Sequence, residues 1–233
     1  MLKVEDVVSG YGKVMILHGV SMEMKRGEIV SVIGRNGVGK STFVKTLIGL
    51  NTTQQGKILY QGKDITKSQP YERSWHGMGY VPQGHMVFPQ LTVKENLEIG
   101  ENINKFNPKK PNYDLIYEYF PILYERRNQK AGTMSGGQQA MLSMARVMTG
   151  NLELMLLDEP TEGVQPNIVD SIGDIILRIN KELNVTILLV EQHLGLIQQV
   201  SQRGYAMDKG TIVEGLSKDA IADYEHIKKF LAV

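Results

Sequence analysis

The eight residues Gly34-Arg35-Asn36-Gly37-Val38-Gly39-Lys40-Ser41 constrain the fold more than any other segment. They match G-x-x-x-x-G-K-[ST], a loop whose backbone N–H groups turn inward around phosphate oxygens. The flanks suit that mechanism. Glu28 to Ile33 reads as a short strand, and Ser41 to Leu50 as a helix ended near Gly49. Such a helix points its positive end at a bound anion. Lys40 is placed to neutralise β- and γ-phosphates, and Ser41 to ligate Mg²⁺. The plain alternative, a glycine-rich turn with one exposed lysine, has to be weighed against the rest of the chain.

Two further apolar runs, Leu154 to Leu157 and Val185 to Val190, are separated by a helical stretch around Ile168 to Glu182. Strands alternating with helices predict an α/β layer with a mainly parallel sheet. Leu2, Val4 and the segment Gly56 to Tyr60 read as short antiparallel strands beside it. Between about Gln83 and Gly150 the strand signal fades. Thr92 and Glu95 have capping-box spacing for a helix through Leu97, and Tyr113 to Tyr119 and Gln138 to Met148 are further helices. Lys105 to Pro111, with its lysines and prolines, reads as an exposed, solvated connection. The expected organisation is one domain over 1–233. Residues 1–83 and 151–233 form the nucleotide-binding core with its antiparallel part, and about 84–150 an inserted helical subdomain.

Composition narrows the partners. With 26 basic and 25 acidic residues, no global field argues for nucleic acid, a membrane surface or an acidic substrate. The absence of cysteine excludes disulfides, thiolate metal sites and a cysteine nucleophile, and fits a reducing compartment. Glu5 and Asp6 stand where an export signal would place its apolar core. The longest apolar runs fall far below the roughly 20 residues of a membrane-spanning helix, so a membrane role would come through partner subunits.

Leu154-Met155-Leu156-Leu157 ends in Asp158-Glu159, carboxylates at the edge of a parallel sheet where ligands bind. A strand-end acidic pair alone is ordinary surface. Beside a phosphate loop, Asp158 becomes a candidate for the Mg²⁺ shell and Glu159 for polarising an attacking water. Ser135-Gly136-Gly137-Gln138 opens a helix, and its hydroxyl and free N–H groups form a second anion site.

With these three motifs in this order, the chain resembles the ABC ATPase family over essentially its whole length. The resemblance implies a P-loop NTPase core in which two such domains sandwich two ATPs. The Ser135 loop of one chain then faces the phosphate loop of the other. Thr42 beside Ser41 joins the nucleotide-binding set. Tyr11 looks like the aromatic that stacks on adenine, and Gln83 in Val81-Pro82-Gln83-Gly84 like the glutamine that touches Mg²⁺ and water. Leu91-Thr92-Val93-Lys94-Glu95-Asn96-Leu97 and Leu189-Val190-Glu191-Gln192 are similar to the ATPases of importers for branched-chain amino acids, urea and short-chain amides. Thr161-Glu162-Gly163-Val164-Gln165-Pro166 is most similar to the urea and amide branch.

Two positions depart from the general family pattern. Gln192 stands where a switch histidine is usual, with His193 one place later, and Gln165 stands where an aspartate often follows the catalytic glutamate. Gln192 is therefore read as the γ-phosphate contact and His193 as structural or solvent-facing. The implied partners are a second ATPase, preferably a different chain, two membrane permeases and indirectly a solute-binding protein, on the cytoplasmic face of the membrane. No nucleic acid is implied. A soluble ABC protein of ribosome or DNA would carry two cassettes or a long coiled coil, and a GTPase an Asn-Lys-x-Asp motif. The chain has neither feature. Glu159 argues against a module that binds ATP without hydrolysing it.

Overall fold

The computed structural model describes residues 1–101 and 111–231. The expected connection over Lys105 to Pro111 therefore lies, Pro111 aside, outside the described residues. One sheet is antiparallel. It contains β1 (Leu2–Tyr11), β2 (Val14–Met24), β4 (Thr53–Tyr60) and β5 (Lys63–Asp64), in the order β2-β1-β4-β5. The other contains β3 (Ile29–Ile33), β6 (Met78–Val81), β7 (Leu154–Asp158), β8 (Thr186–Glu191), β9 (Arg203–Asp208) and β10 (Thr211–Leu216), in the order β10-β9-β3-β8-β7-β6. All pairings from β9 to β6 are parallel, and β10 pairs antiparallel with β9.

The central strands are buried on both faces, as parallel strands covered on each side must be. Their side chains alternate with period two. Val30, Leu154, Leu156 and Leu188 join a core with Phe43, Val44 and Leu47 of α1 (Lys40–Ile48) and with Leu2, Val4, Leu17 and Ile58 of the antiparallel sheet. The phosphate-loop helix is thus wedged between the two sheets. Ile29, Met155, Leu157, Ile187 and Leu189 face the opposite core. There they meet α6 (Gly136–Met148) and α7 (Pro166–Leu183).

Between β6 and β7 the described residues form no strand, as expected. They form α3 (Val93–Gly100), α4 (Tyr113–Tyr119), α5 (Pro121–Glu125) and α6. The capping box at the start of α3 is present: Glu95 N donates to Thr92 Oγ1 at 3.2 Å, and Thr92 N to Glu95 Oε2 at 2.7 Å. The antiparallel strands are longer than expected, at ten residues for β1 and eight for β4, and β2 was not expected. Irregular register hides them. The β1–β2 ladder shifts between Val4 and Val7 and again between Ser9 and Gly10, and Asp6 takes φ 48°, which breaks the alternation that marks a strand.

Candidate functional site

The site collects at the C-terminal ends of β3, β6, β7 and β8. After β3 the chain needs residues that tolerate close backbone approach and positive φ. A Cβ on Gly34 would lie 2.4 Å from Met207 O, and Gly39 enters α1 with φ 112°. Neither position accepts a side chain without strain. The loop leaves Arg35, Asn36 and Gly37 exposed while Val38 packs inward, so the amides around Asn36 and Gly37 line a cleft of about 370 Å³. Lys40, Ser41, Thr42, Gln83 and Glu159 line the same cleft, and Tyr11 stands at its rim, 49% exposed.

Lys40 is 4% exposed and its ammonium is fully engaged. Nζ donates to Gly34 O at 2.8 Å and Arg35 O at 2.9 Å, and lies 3.3 Å from Glu159 Oε1. Gln83 Nε2 donates to Glu159 Oε2 at 3.3 Å. Two buried charges that would each be costly alone therefore neutralise one another across the cleft. Ser41 Oγ donates to Asp158 Oδ1 at 2.9 Å, and the Tyr80 hydroxyl to Oδ2 at 3.3 Å. Asp158 is fully buried. Burial raises its pKa and the Glu159 charge adds to this, while the Ser41 and Tyr80 hydrogen bonds oppose it. Glu159 itself takes φ 47°, a left-handed backbone uncommon for a residue with a Cβ, and its N–H donates to Val190 O at 2.8 Å. The Thr42 side chain near the Tyr11 hydroxyl lowers the hydroxyl's pKa.

Other sequence candidates lie apart from the cleft. Ser135 caps α6, with its N–H donating to Gln138 Oε1 at 3.2 Å and Gln138 N donating back to its hydroxyl at 3.4 Å. Ser135 and Gly136 are exposed, Gly137 is packed against Ile168 and Val164, and none of the four residues Ser135 to Gln138 lines the cleft. Gln192 is half-buried at the end of β8 and does not line it either. His193 is exposed and caps α8 (Leu194–Val200), its Nδ1 accepting from Leu196 N at 3.2 Å. Sequence reasoning missed Tyr80, Thr161 and Glu191. Tyr80 shares a face of β6 with Met78 by period-two alternation, but Thr161 and Glu191 gain their contacts only through folding.

A phosphate-cradling loop between a parallel strand and a helix, with a strand-end carboxylate on the loop's serine, defines a P-loop nucleotide-binding domain. A family model described as ABC transporter matches residues 17–162. The branched-chain amino acid transport ATP-binding protein BraG of Pseudomonas aeruginosa is 40% identical over 213 residues, 91% of each chain. A probable branched-chain amino acid transport ATP-binding protein, LivF of Archaeoglobus fulgidus, is 34% identical over 98% of this chain and 97% of its own. A nucleotide-free ATP-binding cassette from an ABC transporter superposes with TM-score 0.85 at 27% identity, covering 100% of this chain and 99% of that one. The chain belongs to the ABC transporter family, as its ATP-binding and ATP-hydrolysing subunit.

Proposed function

We propose that the chain powers import of branched-chain amino acids by hydrolysing ATP between its own phosphate loop and the corresponding Ser-Gly-Gly loop of a second ATPase subunit. The buried Lys40–Glu159 pair carries this reading. A triphosphate entering the cleft offers Lys40 a stronger, multiply charged partner than one carboxylate. Glu159 is then released toward the γ-phosphate, where it accepts a proton from attacking water. Lys40 and the loop amides hold charge that develops on the transferred phosphoryl group, and the N–H and hydroxyl groups of the partner's Ser-Gly-Gly loop complete the cage.

The donor set suits Mg²⁺. Ser41 Oγ and Asp158 Oδ1 already meet at 2.9 Å, and Gln83 lines the same cleft, so hard oxygen ligands converge beside the phosphate position. Ser41 and Asp158, with Gln83, would hold Mg²⁺ there, and the ion would supply positive charge against the phosphates. Tyr11 at the rim supplies a face for adenine. Thr42, Asn36 and Arg35 contribute backbone or side-chain donors around the phosphates, and Gln192 contacts the γ-phosphate from β8.

Residues 84–150 act as the helical arm that carries Ser135 toward the partner. The cleft between this arm and the core exposes Leu50, Phe88 and Ile99. Exposed apolar residues lining one groove mark an interaction surface. A permease subunit seated there would press on the segment that begins at Gln83 and so on Glu159. The assembly then consists of two ATPases, preferably different chains, two permeases and a solute-binding protein, with this subunit held to the cytoplasmic face of the membrane through the permeases. The similarity to BraG and LivF, both branched-chain amino acid transport ATP-binding proteins by name, supports the substrate class, and the Thr161–Pro166 stretch keeps urea and short-chain amides as the second reading.

Glu159→Gln tests the mechanism. Its affinity for MgATP should stay within a few-fold of wild type, while turnover in the purified transporter falls by about 10²–10⁴-fold, the range of a lost general base. Wild-type turnover in Glu159→Gln would remove Glu159 from the chemistry.

A further inference from the structure

Glu191 is the last residue of β8 and only 3% exposed, yet it is a carboxylic acid. One of its oxygens does two things. Oε1 accepts from the Thr161 hydroxyl at 3.0 Å and from His193 N–H at 3.1 Å. Thr161 lies two residues beyond Glu159, and His193 follows Gln192. Oε2 is buried without a hydrogen-bond partner among the described residues. A side chain placed there for packing alone would be apolar, because an orphaned buried oxygen costs free energy.

The neighbouring backbone gives the carboxyl a purpose. Glu159 sits in a left-handed conformation that persists only where its surroundings over-determine it. Its N–H is tied to Val190 O, and Glu162 N–H returns to Glu159 O at 3.2 Å. The Thr161–Glu191 bond adds a side-chain tie across to β8. The same oxygen fixes the turn after β8 that carries Gln192.

We propose that Glu191 is a positioning residue for ATP hydrolysis, a buried carboxyl that locks the Glu159 loop and the Gln192 turn in one register. This rests on the reading of Glu159 and Gln192 given above. Glu191 touches neither nucleotide nor water. It acts by limiting where Glu159 and Gln192 stand when the γ-phosphate arrives. Burial pushes its carboxyl up to about 7, with the Glu159 charge adding to the rise while the hydrogen bonds from His193 N–H and Thr161 oppose it. Glutamine keeps the accepting oxygen and is close in shape to the neutral acid, so it should serve in the same place.

The test is steady-state MgATP hydrolysis by the full-length chain in its copurified transporter, with Glu191→Ala, Glu191→Gln, Thr161→Val, the Glu191→Ala/Thr161→Val double variant and Glu159→Gln run together. A misplaced catalytic group costs turnover, on the order of tenfold or more here, without loosening substrate binding. Glu191→Ala and Thr161→Val should each lower kcat by about that factor with KM unchanged, and the double variant should add nothing further, as members of one network do. Glu191→Gln should restore kcat to within about threefold of wild type. Wild-type kcat in Thr161→Val overturns the proposal, and it decides the matter if Glu191→Ala does not fold. So does a Glu191→Gln as slow as Glu191→Ala, a KM that rises with the fall in kcat, or effects that add in the double variant. Normal turnover in Glu159→Gln would instead defeat the reading of the catalytic base, and this proposal with it. Slow turnover in Glu159→Gln beside normal Glu191→Ala and Thr161→Val defeats this proposal alone.

Discussion

Glu191 also makes a thermodynamic prediction that needs no nucleotide. In the unfolded chain its carboxyl ionises at its ordinary value near 4.5, whereas in the fold burial holds the proton until about 7. Between those two values the folded state binds more protons than the unfolded one, so stability falls as pH rises. The contribution is intact below pH 4.5 and lost by the time pH passes 7. At about 1.4 kcal/mol per pH unit, the interval corresponds to about 3 kcal/mol. Glutamine does not titrate. The stability of Glu191→Gln relative to wild type should therefore rise between pH 5 and pH 8 by up to about 3 kcal/mol, which for a chain of this size is roughly 6–12 °C in Tm. The assay is thermal unfolding of both proteins, free of nucleotide, at matched ionic strength across that range. Every other titrating group is shared by the two proteins and largely cancels in the difference. Glu159 faces Glu191 with like charge and sharpens the effect, while Thr161 and the N–H of His193 are uncharged donors that blunt it. A stability difference that is flat in pH, or shrinks as pH rises, would refute the assignment of a proton to Glu191 in the folded state.

Lys40→Ala should weaken MgATP binding by at least about 1.5–3 kcal/mol, the worth of a hydrogen bond to a charged group, and titration calorimetry showing unchanged affinity would remove the phosphate-loop assignment. Tyr11→Ala should cost about 1–3 kcal/mol of binding if the ring stacks on adenine, and a loss of only a few tenths would confine Tyr11 to its β1–β2 hairpin. Arg73 in α2 (Pro70–Trp75) is buried and donates to the carbonyls of Thr46, Leu47, Thr66 and Ser68 at 2.7–3.1 Å, capping the phosphate-loop helix from behind. Arg73→Met removes the guanidinium donors from those carbonyls, of which Thr46 O keeps Gly49 N–H, and should cost at least about 3 kcal/mol in denaturant unfolding, with Arg73→Lys recovering only part; a loss below about 1 kcal/mol would contradict that role.

Legibility in the sequence followed the range of the interactions. The phosphate loop, the strand ending in Asp158-Glu159 and the capped start of α6 are decided by residues within a few places of one another, so spacing and residue type revealed them. Tyr113 to Tyr119 was bounded correctly because Asn112 caps it and Pro121 follows its end. β2 and the full length of β1 were hidden because bulges shift the alternation. β9 was hidden because it is polar for a strand in the parallel sheet: Arg203 reaches Glu28 and the Glu23 carbonyl, and Tyr205 packs its ring on the core while its hydroxyl donates to that carbonyl. Arg73 reads as a surface charge until α1 is packed beside it. Thr161 and Glu191 are thirty residues apart and meet only when β7 and β8 pair.

The same distinction separates the two halves of the site. Lys40, Ser41, Asp158 and Glu159 come together within one chain, and there Lys40 and Glu159 satisfy each other at 3.3 Å. Ser135 and Gly136 remain exposed at the start of α6, their polar groups spent on a local cap with a 3.4 Å hydrogen bond. A weak cap is easily exchanged for a stronger acceptor, and a phosphate bound to a facing chain is one. A cleft whose charges neutralise internally, in a chain whose α6 start lies apart from it with no charge to hold, has little reason to hydrolyse ATP alone. Under the proposed function, pairing two chains around the nucleotide would replace both arrangements at once, so the free energy of ATP binding would be expressed as closure of the dimer.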